Sequence, residues 1–157
     1  MSEVTIKAQH VNPFIKATIE TFATMVDLTV TPGKIKLKED TDPSYDVSGI
    51  IGLGGGAKGT VALSFPRMTA LNVVRAFMGE KVISTNKMVD AIGELANIVA
   101  GAAKRELTQY KIQISLPTVI VGEKHAINCP VDAISLMVPC ECKAGNFFLI
   151  LCFKSML

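Results

Sequence analysis

The run Asp90-Ala91-Ile92-Gly93-Glu94-Leu95-Ala96-Asn97 decides how the rest of this chain is read. It lies in an apolar, Ala-rich segment that predicts one long helix over residues 86–109. Ile92, Leu95, Ala96, Val99, Ala102 and Ala103 recur at helical spacing and form one buried stripe. Asp90, Glu94, Asn97, Gly101 and Lys104 follow at steps of four and three, which places them on a second, outward stripe. A carboxylate and a carboxamide one turn apart can therefore point outward together. Gly93, Ala100 and Gly101 carry no bulk, so another backbone could approach them. Spacing alone leaves two readings open. Small residues commonly serve tight helix packing and polar ones keep a face wet; the same residues could also form a site for a partner.

A chain of 157 residues with 49% hydrophobic composition suffices for one domain with a real core, expected over 1–157. A net charge of +2 gives no broad basic surface, so a nucleic-acid partner is not expected. The N-terminal residues hold no apolar signal core, and no apolar run reaches membrane-spanning length; the densest covers 147–153. A cytoplasmic protein with no membrane partner is the expectation. Cys129, Cys140, Cys142 and Cys152 form no C-x-x-C pair, and His10 and His125 lack ligand-spaced partners. These residues predict reduced core cysteines and no metal site.

Residues 1–11 read as an extended arm. Asn12-Pro13 then resembles a helix start, with Asn capping and Pro in the first turn, and the amphipathic pattern runs to about Val26. Residues 34–38 alternate Lys-Ile-Lys-Leu-Lys, which predicts a basic edge strand with one dry face. Residues 39–44 read as a polar loop. Strands are expected over 45–53 and 59–65, joined by a glycine-rich turn. That tract fits G-x-G-x-x-A, but a dinucleotide site needs a helix to open there, and Gly59-Thr60-Val61-Ala62-Leu63 is strand-like. A Walker loop fails because Gly59, not Ser or Thr, follows Lys58.

A helix over 66–78 should place Ala70, Leu71, Val74 and Phe77 inward and stop at Gly79; Ser84-Thr85-Asn86 caps the next one. The remainder predicts strands: 113–116 and 118–121 around Pro117, then 125–129, 133–142 and 146–153. The last is apolar on both faces, so it should be central or lie at a subunit interface. Helices and strands segregate, which gives an α+β fold with a mainly antiparallel sheet packed against long α-helices.

Asp90-x-x-x-Glu94-x-x-Asn97 resembles the signature of the CheC/CheX/FliY phosphatases of bacterial chemotaxis. The whole run from Asp90 to Gly101 is similar to the CheX branch. So are Asn12-Pro13-Phe14-Ile15, Tyr45-Asp46-Val47-Ser48-Gly49 and Leu116-Pro117-Thr118-Val119-Ile120-Val121-Gly122. The resemblance implies removal of the phosphoryl group from the aspartyl phosphate of a CheY-type response regulator, with Glu94 and Asn97 as the functional pair. It implies partner contacts at Asp90, Gly93, Gly101 and Lys104, and a sheet-mediated homodimer. Any Mg²⁺ would sit on the regulator, this chain having no cofactor of its own. Pro117 lies where the family carries a proline, at a shorter spacing, and is given a structural role only. Two-site members carry the motif on two helices. Here Glu20-Thr21-Phe22-Ala23 has Ala in place of Asn, so one active helix is expected.

The chemistry is coherent on its own terms. An acyl phosphate is already activated, and in-line attack needs only a water held opposite the leaving carboxylate. A carboxamide carries both donor and acceptor atoms and can hold that water and a phosphoryl oxygen. Glu94 could engage a cation on the regulator. A catalytically silent adaptor of the same fold, or a dimeric interaction module, would account for the same fold without hydrolysis.

Overall fold

A computed structural model describes residues 6–39, 42, 44–127, 129 and 132–156. Among them, eight strands form one antiparallel sheet. In chain order the elements are α1 (Ala8–Thr21), β1 (Thr31–Pro32), β2 (Lys36–Leu37), β3 (Val47–Gly55), β4 (Ala57–Phe65), α2 (Arg67–Met78), α3 (Thr85–Glu106), β5 (Ile112–Ile114), β6 (Thr118–Val121), β7 (Ile134–Cys142) and β8 (Gly145–Met156). The strand order is β1-β7-β8-β4-β3-β5, with β2 beside β1 on β7 and β6 beside β5 on β3. The α+β expectation holds.

All three helices pack on one sheet face. Side chains alternate along the strands, so Val47, Ile51, Val61, Leu63, Phe65, Phe147, Leu149, Leu151 and Phe153 meet the helices in one core. Phe22, at the end of the first helical segment, stacks on Phe147 with ring centroids 4.9 Å apart, and Phe65 lies at the same distance from Phe147. On the opposite face Ala62, Met137 and Ile150 form a smaller cluster closed by Ile127. Strand β8 is central, hydrogen-bonded to β4 and β7; Phe147, Leu149, Ile150, Leu151, Cys152 and Phe153 are buried within the chain and Phe148 is half-buried. The central position expected for it is the one it occupies in the sheet.

Several expectations need correction. The first helix begins at Ala8, not at Asn12, and Ala8–Val11 are helical, so the arm read over 1–11 fails there; residues 1–5 lie outside the described residues. The end is closed by His10, whose backbone N–H donates to the Lys7 carbonyl (2.9 Å) and whose Nδ1 accepts from the Lys7 N–H (3.0 Å). Pro13 therefore sits inside the helix and forgoes one backbone hydrogen bond. The helical path continues through a wider π-type turn over Phe22–Val26 and ends at Asp27, in the left-handed region at φ 60°.

The basic strand over 34–38 shrinks to Lys36–Leu37 and has no dry face: Ile35 and Leu37 are 42% and 69% exposed. It does lie at a sheet edge, on β7. In the loop over 39–44 Ser44 is buried, and positions 40, 41 and 43 are outside the described residues. His125–Ile127 are irregular, not a strand; Asn128 is outside the described residues. Hydrogen bonds from His125 explain this, because its Nε2 pairs with Ser48 Oγ (2.7 Å) and its Nδ1 with the Gly122 carbonyl (3.0 Å), holding the segment as a loop. Cys129 and Cys152 are joined as a disulfide with Cα atoms 6.1 Å apart, while Cys140 and Cys142 are free. The expectation of four reduced cysteines thus holds for two. Helix α2 buries Ala70 and Val74 as expected, with Thr69 and Val73, whereas Leu71 and Phe77 are half-buried.

Candidate functional site

Helix α3 is the element that carries the predicted site. It starts where the sequence places a cap: Ser84 Oγ accepts from the Lys87 N–H at 3.2 Å. Its apolar stripe, Met88, Ile92, Leu95, Ala96, Val99 and Ala103, is buried in the core, and Ala102 is half-buried.

The helix lies close to the sheet because β3 has no side chain beneath it at Gly49. A Cβ built there would stand 3.0 Å from the Ile92 carbonyl oxygen and 3.1 Å from Ala96 Cβ. Gly93, on the flank of the same helix, is buried under a neighbouring strand: a Cβ there would stand 3.3 Å from Val119 Cγ2 and 3.4 Å from Pro117 Cγ. Strands β5 and β6 are two short partners of one long strand, pairing with Leu53–Gly55 and Val47–Ile50 of β3. The step between them is held by Ser115, whose N–H donates to the Gly52 carbonyl (2.9 Å) and whose Oγ accepts from the Gly52 N–H (2.8 Å). That step carries Pro117 over Gly93 and leaves Leu116 87% exposed beside it.

On its other flank α3 packs against α1. Lys16 Nζ lies 2.6 Å from Glu106 Oε1 at the helix end, and His10 Nε2 lies 2.8 Å from Tyr110 Oη just beyond it. With Nδ1 accepting from Lys7, His10 is a neutral imidazole with its proton on Nε2, donating to Tyr110. Burial, with the Lys7 charge adding to it, holds the His10 pKa below its ordinary value.

Only the outer face of α3 remains open. Asp90, Glu94, Asn97 and Lys104 are exposed there, and Gly101 is half-buried with nothing within 4 Å of the place a Cβ would occupy. The helix thus brings Glu94 and Asn97 onto one open face, their Cβ atoms about 5–6 Å apart as a three-residue helical step requires. Among the described residues neither enters an ion pair or a side-chain hydrogen bond. Gly93 stands apart from the other predicted residues, facing the chain's own Pro117 and Val119.

Such a face can do limited chemistry. Its carboxylate and carboxamide have all their hydrogen-bonding capacity free, and no backbone hydrogen bond of the fold depends on them. Among the described residues no group of three or more His, Cys, Asp or Glu side chains is placed to hold a metal ion, and no helix is long and apolar enough to cross a membrane. The glycine tract lies at the β3–β4 hairpin as expected, but the strands run further into it: Gly52, Gly54 and Gly55 (φ 78°) belong to β3 and Gly59 to β4, which leaves Gly56 between them. Sequence reasoning missed the exposure of Leu116, which precedes Pro117, and the place of Gly49 beneath the helix. It also missed a cleft at the far end of α3 lined by Gly101, Lys104, Arg105, Thr108, Lys111, Ile112 and Ile114. All depend on which strand passes which helix, and only the wet-and-dry pattern of α3 itself is a local signal.

Comparison with known proteins gives this arrangement a family. Residues 47–141 match the family Chemotaxis phosphatase CheX. The CheY-P phosphatase CheX of Thermotoga maritima is 33% identical over 121 residues, 73% of this chain and 77% of that protein. The crystal structure of chemotaxis protein CheX from Vibrio vulnificus superposes with a TM-score of 0.84 at 31% identity, covering 93% of this chain and 99% of that one. The fold also recurs in the CheX-CheY-BeF3-Mg²⁺ complex from Borrelia burgdorferi, with a TM-score of 0.79 at 24% identity over 92% of this chain and 96% of the other. The family match spans β3 to β7 and includes the whole of α3, and the chain belongs to the chemotaxis phosphatase CheX family.

Proposed function

We propose that this protein hydrolyses the aspartyl phosphate of a phosphorylated CheY-type response regulator, with Asn97 positioning the attacking water and Glu94 engaging a cation on the regulator. The observation that carries the reading is the outer face of α3, where Glu94 and Asn97 stand exposed, one turn apart, and unengaged within the described chain. Membership of a phosphatase family and the relatives' names point the same way.

The regulator would present its acyl phosphate to that face. The Asn97 carbonyl oxygen would accept from the water and its amide would donate to a phosphoryl oxygen, fixing the in-line approach. The aspartyl carboxylate leaves as the water oxygen bonds to phosphorus, and the water's proton passes to phosphate or solvent. Mg²⁺ belongs to the regulator in this scheme, neutralising phosphoryl charge; the chain's own residues position and bind. Asp90, Gly101 and Lys104 would border the contact. Gly93 would act from below, by letting Pro117 and Val119 brace the helix from its flank. A homodimer in the cytoplasm is part of the same reading; sedimentation velocity at micromolar concentration checks it, and a strict monomer would remove it.

The central test is decay of a phosphorylated CheY-type regulator with wild type, Asn97→Ala and Glu94→Ala. Asn97→Ala should lower kcat by about 10²-fold or more, the scale of losing one positioning group. Its affinity for the BeF3-activated regulator should change little, because an interaction made near the transition state is lost from turnover and not from binding. Its stability should shift by less than about 1 kcal/mol, since an exposed side chain leaves no cavity. Glu94→Ala should weaken binding as well as rate. Near wild-type turnover for Asn97→Ala would refute the water-positioning role, and an inactive wild type on every regulator would favour the adaptor.

A further inference from the structure

We infer that the cleft at the C-terminal end of α3 is a docking groove for an acidic, amphipathic segment of the same regulator whose phosphoryl group reaches Asn97; this rests on the function proposed above. The cleft encloses about 440 Å³, room for a few side chains of a partner and not for a folded element. Its floor is apolar, with Ile112 buried and Ile114 half-buried. Its rim is cationic: Lys104, Arg105 and Lys111 are exposed, and among the described residues none is in an ion pair.

The neighbouring carboxylate does not neutralise them. Glu106 turns to the other flank and pairs with Lys16 at 2.6 Å. The helix C-terminus adds a partial negative charge of about one half, too little to cancel three cations. Lys111 takes its place on the rim as the left-handed cap, at φ 51°, of the short turn Thr108–Tyr110, its N–H donating to the Thr108 carbonyl at 3.2 Å.

Position ties the cleft to Asn97. Gly101 is one turn beyond Asn97 on the same face, and Lys104 lies seven residues on, about 10 Å along the axis. One partner with an ordinary footprint, about 800 Å², covers both. Gly101 offers no side chain, so that partner can pass closely from the Asn97 face into the cleft. The outer face is also polar end to end, with Asp90 and Glu94 toward the start and Lys104, Arg105 and Lys111 toward the end. A partner that brings a cation to Glu94 and carboxylates to the cleft is matched at both ends. Reversed docking sets like charges together, which fixes the orientation in which a phosphoryl group meets Asn97.

The experiment compares wild type, Arg105→Glu/Lys111→Glu and the conservative Arg105→Lys/Lys111→Arg. It measures kcat and KM on the phosphorylated regulator, Kd for the BeF3-activated regulator, and the salt dependence of each. The charge-reversed protein should raise KM and Kd at least about tenfold, keep kcat within about twofold, and flatten the salt dependence. The conservative variant should match wild type. Unchanged Kd and salt dependence would overturn the proposal, as would a loss confined to kcat, or a change in self-association without a change in Kd, which would assign the cleft to a second copy of the chain. If wild type hydrolyses no regulator yet Kd still depends on these two residues, the groove stands and the phosphatase reading falls.

Discussion

Replacing Gly49 by alanine tests whether the sheet sets the height of the site. The added methyl would stand 3.0 Å from the Ile92 carbonyl oxygen and 3.1 Å from both Ala96 Cβ and Ile92 Cγ2. Relaxed carbon contacts need about 3.5–4.0 Å, so α3 must rise by about half an ångström or the strand must sink. Overpacking of this kind costs about 1–3 kcal/mol. Against it stands the gain from a less flexible unfolded chain, about 0.5–1 kcal/mol when glycine becomes alanine. The clash wins because one contacted atom is helix backbone and cannot rotate away. Net destabilisation should be about 1–2 kcal/mol, which for a chain of this size lowers Tm by about 2–8 °C. Urea unfolding followed by circular dichroism measures it directly, with Gly49→Val expected to lose more. Turnover per folded molecule should hardly change, because the outer face moves as one unit with its helix. An alanine variant as stable as wild type, or more so, would show that α3 does not rest on β3 at this point.

His10 should make stability fall on acidification. Its folded pKa lies below the ordinary value of 6.5, so the unfolded chain takes up the proton first; the contribution is whole above about pH 6.5 and drains as pH falls through the folded value. Urea midpoints between pH 8 and pH 5 should show that slope in wild type and a flatter one in His10→Gln; equal slopes would refute it. The thiols should differ in reactivity: burial pushes Cys140 up to about 12, whereas Cys142 is half-buried. Iodoacetamide at pH 8 should therefore label Cys142 first by mass spectrometry, and equal rates would contradict the burial argument.

What the sequence revealed and what it hid follow from the range of the interactions involved. Helix α3 was legible, cap and both stripes included, because its pattern is local and repeats every turn. The β3–β4 hairpin and the central β8 were legible for the same reason. The start of α1 was not, since a histidine closing onto Lys7 outweighs the Asn-Pro signal that stands four residues further on. Residues 34–38 alternate as a strand should, yet a dry face needs a neighbouring layer, and among the described residues Ile35 and Leu37 stay exposed. The loop at His125 is decided by a hydrogen bond to Ser48, 77 positions away, and the Cys129–Cys152 pair spans 23. In the candidate site, spacing sets Asp90, Glu94 and Asn97 on one outward stripe, and the family resemblance, not the spacing, singles out Glu94 and Asn97. Gly49, Leu116 and the cationic cleft leave no such local signal, because chain crossings create them.

The outer face of α3 also bears on how such a protein can change over evolutionary time. Many active sites trade durability for activity, since their polar groups are buried and strained. Here the two candidate working side chains stand on the dispensable side of a helix whose other side is the core. On the role proposed for Asn97, its loss or regain by drift would carry almost no thermodynamic penalty and would convert an enzyme into a silent binder and back while the architecture persists. Resemblance of fold is then a poor guide to activity among distant relatives, and the identity of the residue at this one position is the better one.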